Sequence, residues 1–127
     1  MPTFGNVADF IIVADEYVYV KPEAAQTLTF NIDKFVRTGD RGILQFALST
    51  NAAHGMPNEL TVTLTLNGKN IRAVANITGQ YQRSIHVVIP GSLLAGGTNK
   101  LVLEAIAGTG SIGVGNIVVW VQTQSGY

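Results

Sequence analysis

Cysteine is absent from this 127-residue chain, which excludes a disulfide framework, a thiolate metal site and a thiol nucleophile. Charge is scarce too: Asp, Glu, Lys and Arg make up 13% of the residues, about half the usual share of a soluble domain. That shortfall must leave neutral polar or apolar surface somewhere on the fold. Neither sign prevails, since eight basic residues face eight acidic ones and no run of like charges occurs. A nucleic-acid backbone or an anionic membrane calls for a concentrated basic face, so neither is expected as a partner. A neutral surface also puts up little repulsion between copies. Two readings stand on equal terms here: a homo-oligomer, or a monomer with an exterior rich in Thr, Asn and Gln.

No apolar run reaches the ~18 residues of a membrane-spanning helix, and no basic segment followed by an apolar core opens the chain. Membrane insertion and a signal peptide in this chain are therefore not expected. The chain reads as soluble, whether mature, cut from something larger or exported by another route. Its length suits one domain, residues 1–127, able to bury a core without staples.

What the chain does have is period-two hydrophobicity. Leu28, Phe30 and Ile32 alternate with Thr27, Thr29 and Asn31, as a half-buried strand requires. Leu44, Phe46 and Leu48 repeat the pattern, and Leu60, Val62, Leu64 and Leu66 alternate with three threonines. Residues 10–13 are apolar without a break and predict a short strand covered on both faces, after a lead-in over residues 1–8. Residues 16–21 place Tyr17 and Tyr19 on one face.

Turn chemistry punctuates these runs. Residues 38–42 mark one turn, and Asn67-Gly68 predicts a type I′ hairpin that returns residues 71–77 antiparallel. Pro90 stops the strand before it and permits a single helical turn through Leu93 and Leu94. Gly96 and Gly97 can end that turn, and the Asn99 amide can bind loop backbone before alternation resumes at Leu101. Gly108, Gly110, Gly113 and Gly115 read as a glycine-rich break without the features of a phosphate loop. In the last strand Ile117, Val119 and Val121 face one way, and Val118 and Trp120 the other. About eight or nine strands with no long helix predict an all-β fold, an antiparallel, jelly-roll-like β-sandwich.

Residues 60–122, the later half of the chain, resemble the later strands of galactose-binding-domain-like jelly rolls, the fold of many carbohydrate-binding modules. The strand ending at Asn67-Gly68, the strand ending at Ile89-Pro90 with Leu93 and Leu94 beyond it, and Gly97-Thr98-Asn99-Lys100-Leu101 carry the resemblance. It implies a non-catalytic, lectin-like module outside the cell or at its surface. Relatives often hold an aromatic pair at the loop end and a calcium site of carboxylates. This chain has a single tryptophan, and only Asp9, Asp15 and Glu16 stand near its start as oxygen ligands. No cofactor is assigned, calcium is left open, and no ligand residue carries over.

A sugar ring offers an apolar C–H face rimmed by hydroxyls, so its site needs an aromatic plate beside short polar groups. Tyr81, Gln82 and Arg83 form one such set, with edge packing of the tyrosine as the structural alternative. Asn51, His54 and Asn58 form a second on the longest polar loop, which could equally be an ordinary solvated segment. Trp120 is a stacking plate in the functional reading and a core or subunit-interface residue in the structural one. Tyr17 and Tyr19 line a groove or pack across strands.

His54 and His86 are the only histidines, and no acid and nucleophile accompany either. Asp9, Asp15, Glu16, Asp33, Asp40, Glu59 and Glu104 are scattered, and no pair can be nominated for the two carboxylates about 5 to 9.5 Å apart that a glycosidase needs. Asn76-Ile77-Thr78 matches a glycosylation sequon, relevant only in a eukaryotic secretory pathway. The leading expectation is recognition of a neutral glycan. The rival is a structural or assembly sandwich that binds protein partners or itself.

Overall fold

The computed structural model describes residues 6–32 and 42–124. Asp33, Asp40 and all but the last residue of the turn expected at 38–42 lie outside the described residues. Nine strands follow in order: β1 (Asn6–Ala14), β2 (Val18–Val20), β3 (Gln26–Ile32), β4 (Gly42–Ser49), β5 (Asn58–Leu66), β6 (Lys69–Ile77), β7 (Gln82–Ile89), β8 (Gly97–Thr109) and β9 (Ile112–Gln124). The helical residues among those described are two single 3-10 turns, Ala52–His54 and Gly91–Leu93. No helix among them is long and apolar enough to cross a membrane.

The strands form two antiparallel sheets. One has the order β1-β9-β4-β7 with β2 also on β9, and the other the order β3-β8-β5-β6. Alternation decides which side chains meet between the sheets: Leu60, Val62, Leu64 and Leu66 of β5 face Leu44, Phe46 and Leu48 of β4 across one core, all at most 1% exposed. Burying each such side chain contributes roughly 1.5–3 kcal/mol relative to leaving it in water.

At one end of the sandwich the β5–β6 hairpin turns through Asn67 (φ 50°) and Gly68 (φ 88°), the paired positive φ of a type I′ turn. The Asn67 Nδ2 amide donates to Leu93 O at 2.6 Å and to Asn99 Oδ1 at 2.8 Å, while its Oδ1 accepts from Lys100 N. Asn99 is wholly buried, and its amide closes the loop by bonding both the N–H and the C=O of Ala95 and the C=O of Gly97. A buried amide left without partners would cost on the order of 1–3 kcal/mol per group, so this network holds the 90–96 loop against the hairpin.

At the opposite end the loops 50–57, 78–81 and 110–111 meet. Thr50 N donates to Tyr81 O, Gly79 N to Pro57 O, and the Ser111 hydroxyl to His54 O at 2.5 Å. Gly110 (φ 86°) lies so close to the 55–57 loop that a Cβ there would collide with Met56 O, which only glycine avoids.

Three expectations are corrected. The lead-in is shorter, because β1 already begins at Asn6. Residues 10–13 are not covered on both faces: Ile11 and Val13 pack on the core, but Phe10 is 51% and Ile12 58% exposed on the outward side. Gly113 and Gly115 do not belong to a break, since β9 starts at Ile112 and pairs through both of them.

Candidate functional site

β1 and β2 are two lengths of one edge running along β9. β1 pairs as far as Ala14↔Ile117 and β2 resumes at Val18↔Val114. Between them the chain leaves the edge at residues 15–17, opposite Asn116, whose positive φ (49°) marks a bulge in β9. This double irregularity lays the Tyr17 ring flat on β9. An added Cβ at Gly115 would sit 2.7 Å from the ring, and one at Gly113 would touch both tyrosines. The two glycines are a platform for aromatic rings, as strand glycines often are.

Beside that ring lies a trough of about 380 Å³ on the outward face of the five-stranded sheet. The register sets Ser49 opposite Gln82 and Gly113, and Ala47 opposite Ser84 and Gly115, so small residues of β4 and β7 line the trough beside the two glycines that the Tyr17 ring covers. Tyr17, 39% exposed, forms its wall, and Asn116 its lip. Gln82 Nε2 reaches Ser49 Oγ at 3.5 Å, whereas the side chains of Ser84 and Asn116 have no hydrogen-bond partner among the described residues. No carboxylate lines the trough. Its chemistry is an apolar plate beside neutral donors and acceptors, with one cationic residue at the margin.

That margin is where the sequence-derived candidates fall. Arg83 lines the trough and places its guanidinium 5.2 Å from the centre of the Tyr81 ring, a cation–π distance. Tyr81 is half-buried and packs on the core, and with Gln82, Thr50, Met56 and Gln80 it bounds an adjoining cavity of about 420 Å³. Gln82 borders both spaces.

Asn51 and His54 come together around Tyr19. The imidazole stacks on the phenol ring at 3.8 Å, and Asn51 Nδ2 donates to the Tyr19 hydroxyl at 3.2 Å. Asn58 lies elsewhere, opening β5 opposite Thr109 on the other sheet. Trp120 also lies away from the trough. It stands outward at 37% exposure, tilted against Phe10 at 5.4 Å, and donates Nε1–H to Gln45 Oε1 at 3.0 Å.

Ser49, Ser84 and Asn116 were not legible as site residues from the sequence. The alternation of Gly113 and Gly115 with Val114 inside a strand pattern is the signal that could have pointed to them. Asp15 and Glu16 are exposed in the turn before β2, and no group of three His, Asp or Glu side chains converges among the described residues.

No family model matches the chain, and no curated protein does. Solved structures do. Latent PorU from Porphyromonas gingivalis matches 96% of this chain with a TM-score of 0.72 and 14% identity. BpGH86A, a β-porphyranase from Bacteroides plebeius, matches 98% with a TM-score of 0.68 and 14% identity. The chain spans only 13% and 22% of those two molecules. A family 35 carbohydrate binding module from an environmental isolate is matched along 90% of its own length and 98% of this chain, with a TM-score of 0.53 and 15% identity. At these identities the likeness establishes the fold: a galactose-binding-like jelly roll, the expected all-β sandwich.

Proposed function

We propose that this chain is a non-catalytic glycan-binding module that takes a neutral sugar into the trough beside Tyr17. The observation that carries the reading is an exposed aromatic ring on a glycine platform, flanked by Ser49, Gln82, Ser84 and Asn116 without a carboxylate among them. A pyranose laid on the Tyr17 ring stacks its C–H face on the aromatic surface. Its hydroxyls then replace water at the free Ser84 and Asn116 side chains. The Tyr19, His54 and Asn51 cluster braces the neighbouring ring, and Tyr81, Gln82 and Arg83 extend the surface toward a second sugar unit. The family 35 carbohydrate binding module among the structural neighbours supports the reading with its fold.

Stacking and three hydrogen bonds of about 1 kcal/mol each sum to about 4 kcal/mol, a dissociation constant near 1 mM for a single site. A glycan array probed at high protein density, with and without calcium, tests the proposal. Binding to a defined set of glycans, lost in Tyr17→Ala, is the expected result. Uniform silence in both conditions rules it out.

A further inference from the structure

Away from the trough, the outward face of the five-stranded sheet changes character. Phe10, Trp120, Ile43 and Val88 are consecutive Cα partners across β1, β9, β4 and β7, so they form one continuous row over the sheet. The next row runs Ile12, Val118, Gln45 and His86. Phe10 and Ile12 are more than half exposed, Val88 is 59% exposed and Ile43 41%. Apart from Arg83 at the margin of the trough, no Asp, Glu, Lys or Arg is among the outward side chains of β4, of β7 or of residues 112–121 in β9.

We infer that this face joins two copies of the chain, sheet against sheet, in an isologous dimer. The proposal goes beyond the glycan reading and does not depend on it. Size supports it first. Phe10, Ile12, Ile43, Val88 and Trp120 together leave roughly 450 Å² of apolar side chain in water. A standard interface buries about 800 Å² per partner, with an apolar share of about 65% in homodimers, or about 520 Å².

Charge supports it second. The apolar rows carry no formal charge and meet their own copy without like-charge repulsion, with Lys69 beside Val88 only at their margin. Shape supports it third, because two sheets of identical twist stack face to face at about −30° with their side chains interdigitated.

The geometry also leaves one end of the trough open. Ser49 lies six residues along β4 from Ile43, about 20 Å at the rise of an extended strand. A contact of about 800 Å² centred on Ile43 and Trp120 has a radius of roughly 16 Å. Ala47 and Ser84, about 14 Å from Ile43 on the same measure, fall at the rim of that contact, so the dimer would leave the Ser49 and Gln82 end of each trough open to a multivalent glycan.

Sedimentation equilibrium of the full chain over a wide concentration range tests the dimer. Wild type is expected to sediment as a dimer. Val88→Lys and Ile12→Lys, both at outward positions, are each expected to weaken association at least tenfold while the circular dichroism spectrum and melting profile stay those of a β-fold. Ile106→Lys, on the opposite sheet, is expected to leave the dimer intact. If one charged variant fails to fold, the other still decides. A wild type that stays monomeric at about millimolar concentration, a dimer that survives the charged replacements, or a dimer dissolved by Ile106→Lys overturns the inference. Array binding is read separately, so loss of the dimer and loss of glycan recognition remain distinguishable.

Discussion

The four-stranded sheet turns Thr27, Thr29, Thr65, Lys100 and Glu104 outward, whereas the five-stranded sheet turns out Phe10, Ile12, Ile43, Val88 and Trp120 at one end and the Tyr17 trough at the other. Their inward faces, by contrast, are alike, alternating Leu, Ile, Val and Phe in the same period. The inward pattern makes the sandwich. The difference between the outward faces separates the surface that only has to be wet from the surface equipped to bind. Threonine suits a wetted face, because its branched Cβ favours a strand while its hydroxyl keeps the surface hydrated. Among the described residues, the outward face of the five-stranded sheet offers neutral contacts apart from Arg83 at the margin of the trough.

The comparison breaks most severely from inside. Leu64→Ala removes a wholly buried side chain shared by both sheets and is expected to cost about 2–5 kcal/mol in chemical denaturation. Asn99→Ala strands the Ala95 and Gly97 groups and one Asn67 donor, and is expected to cost about 2–4 kcal/mol, read in the same way. Gly115→Ala acts on one outward face only. The new methyl must displace the Tyr17 ring, with an expected cost of about 1–3 kcal/mol and loss of glycan binding, whereas Gly96→Ala, in open space, is expected to lose neither. Tyr17→Ala sharpens the contrast further: binding is expected to fall at least tenfold in a titration, with a stability change of about 1 kcal/mol or less. Thr29→Ala, on the opposite face, is expected to change stability by less than about 0.5 kcal/mol and binding not at all.

Much of this architecture was legible in the residues. Period two in residues 60–66, the Asn67-Gly68 turn, the halt at Pro90 and the amide of Asn99 each act through neighbours close in sequence or through backbone chemistry that one residue type imposes. The five-stranded sheet's outward face was not legible, because alternation tells which residues share a side and not whether that side is covered. Phe10 and Ile12 looked like core for that reason, and Trp120 could be given either role.

The trough was hidden by distance. Ser49, Ser84 and Asn116 are ordinary residues until the register of three strands sets them beside Tyr17. Gly113 and Gly115 suggested a loop, because the rings that require them lie almost a hundred positions earlier. Tyr81, Gln82 and Arg83 were recognised as a unit since they adjoin in sequence, yet they form the border of the site and not its plate.

Hydroxyl-radical footprinting with an array-selected glycan tests most directly whether the uncharged face is the working one. The account predicts that Tyr17 loses reactivity when the glycan is added, that Trp120 loses it as protein concentration rises, and that exposed Ile106 on the other sheet changes in neither case. Protection of Ile106 by the glycan, with Tyr17 as reactive as before, would contradict it.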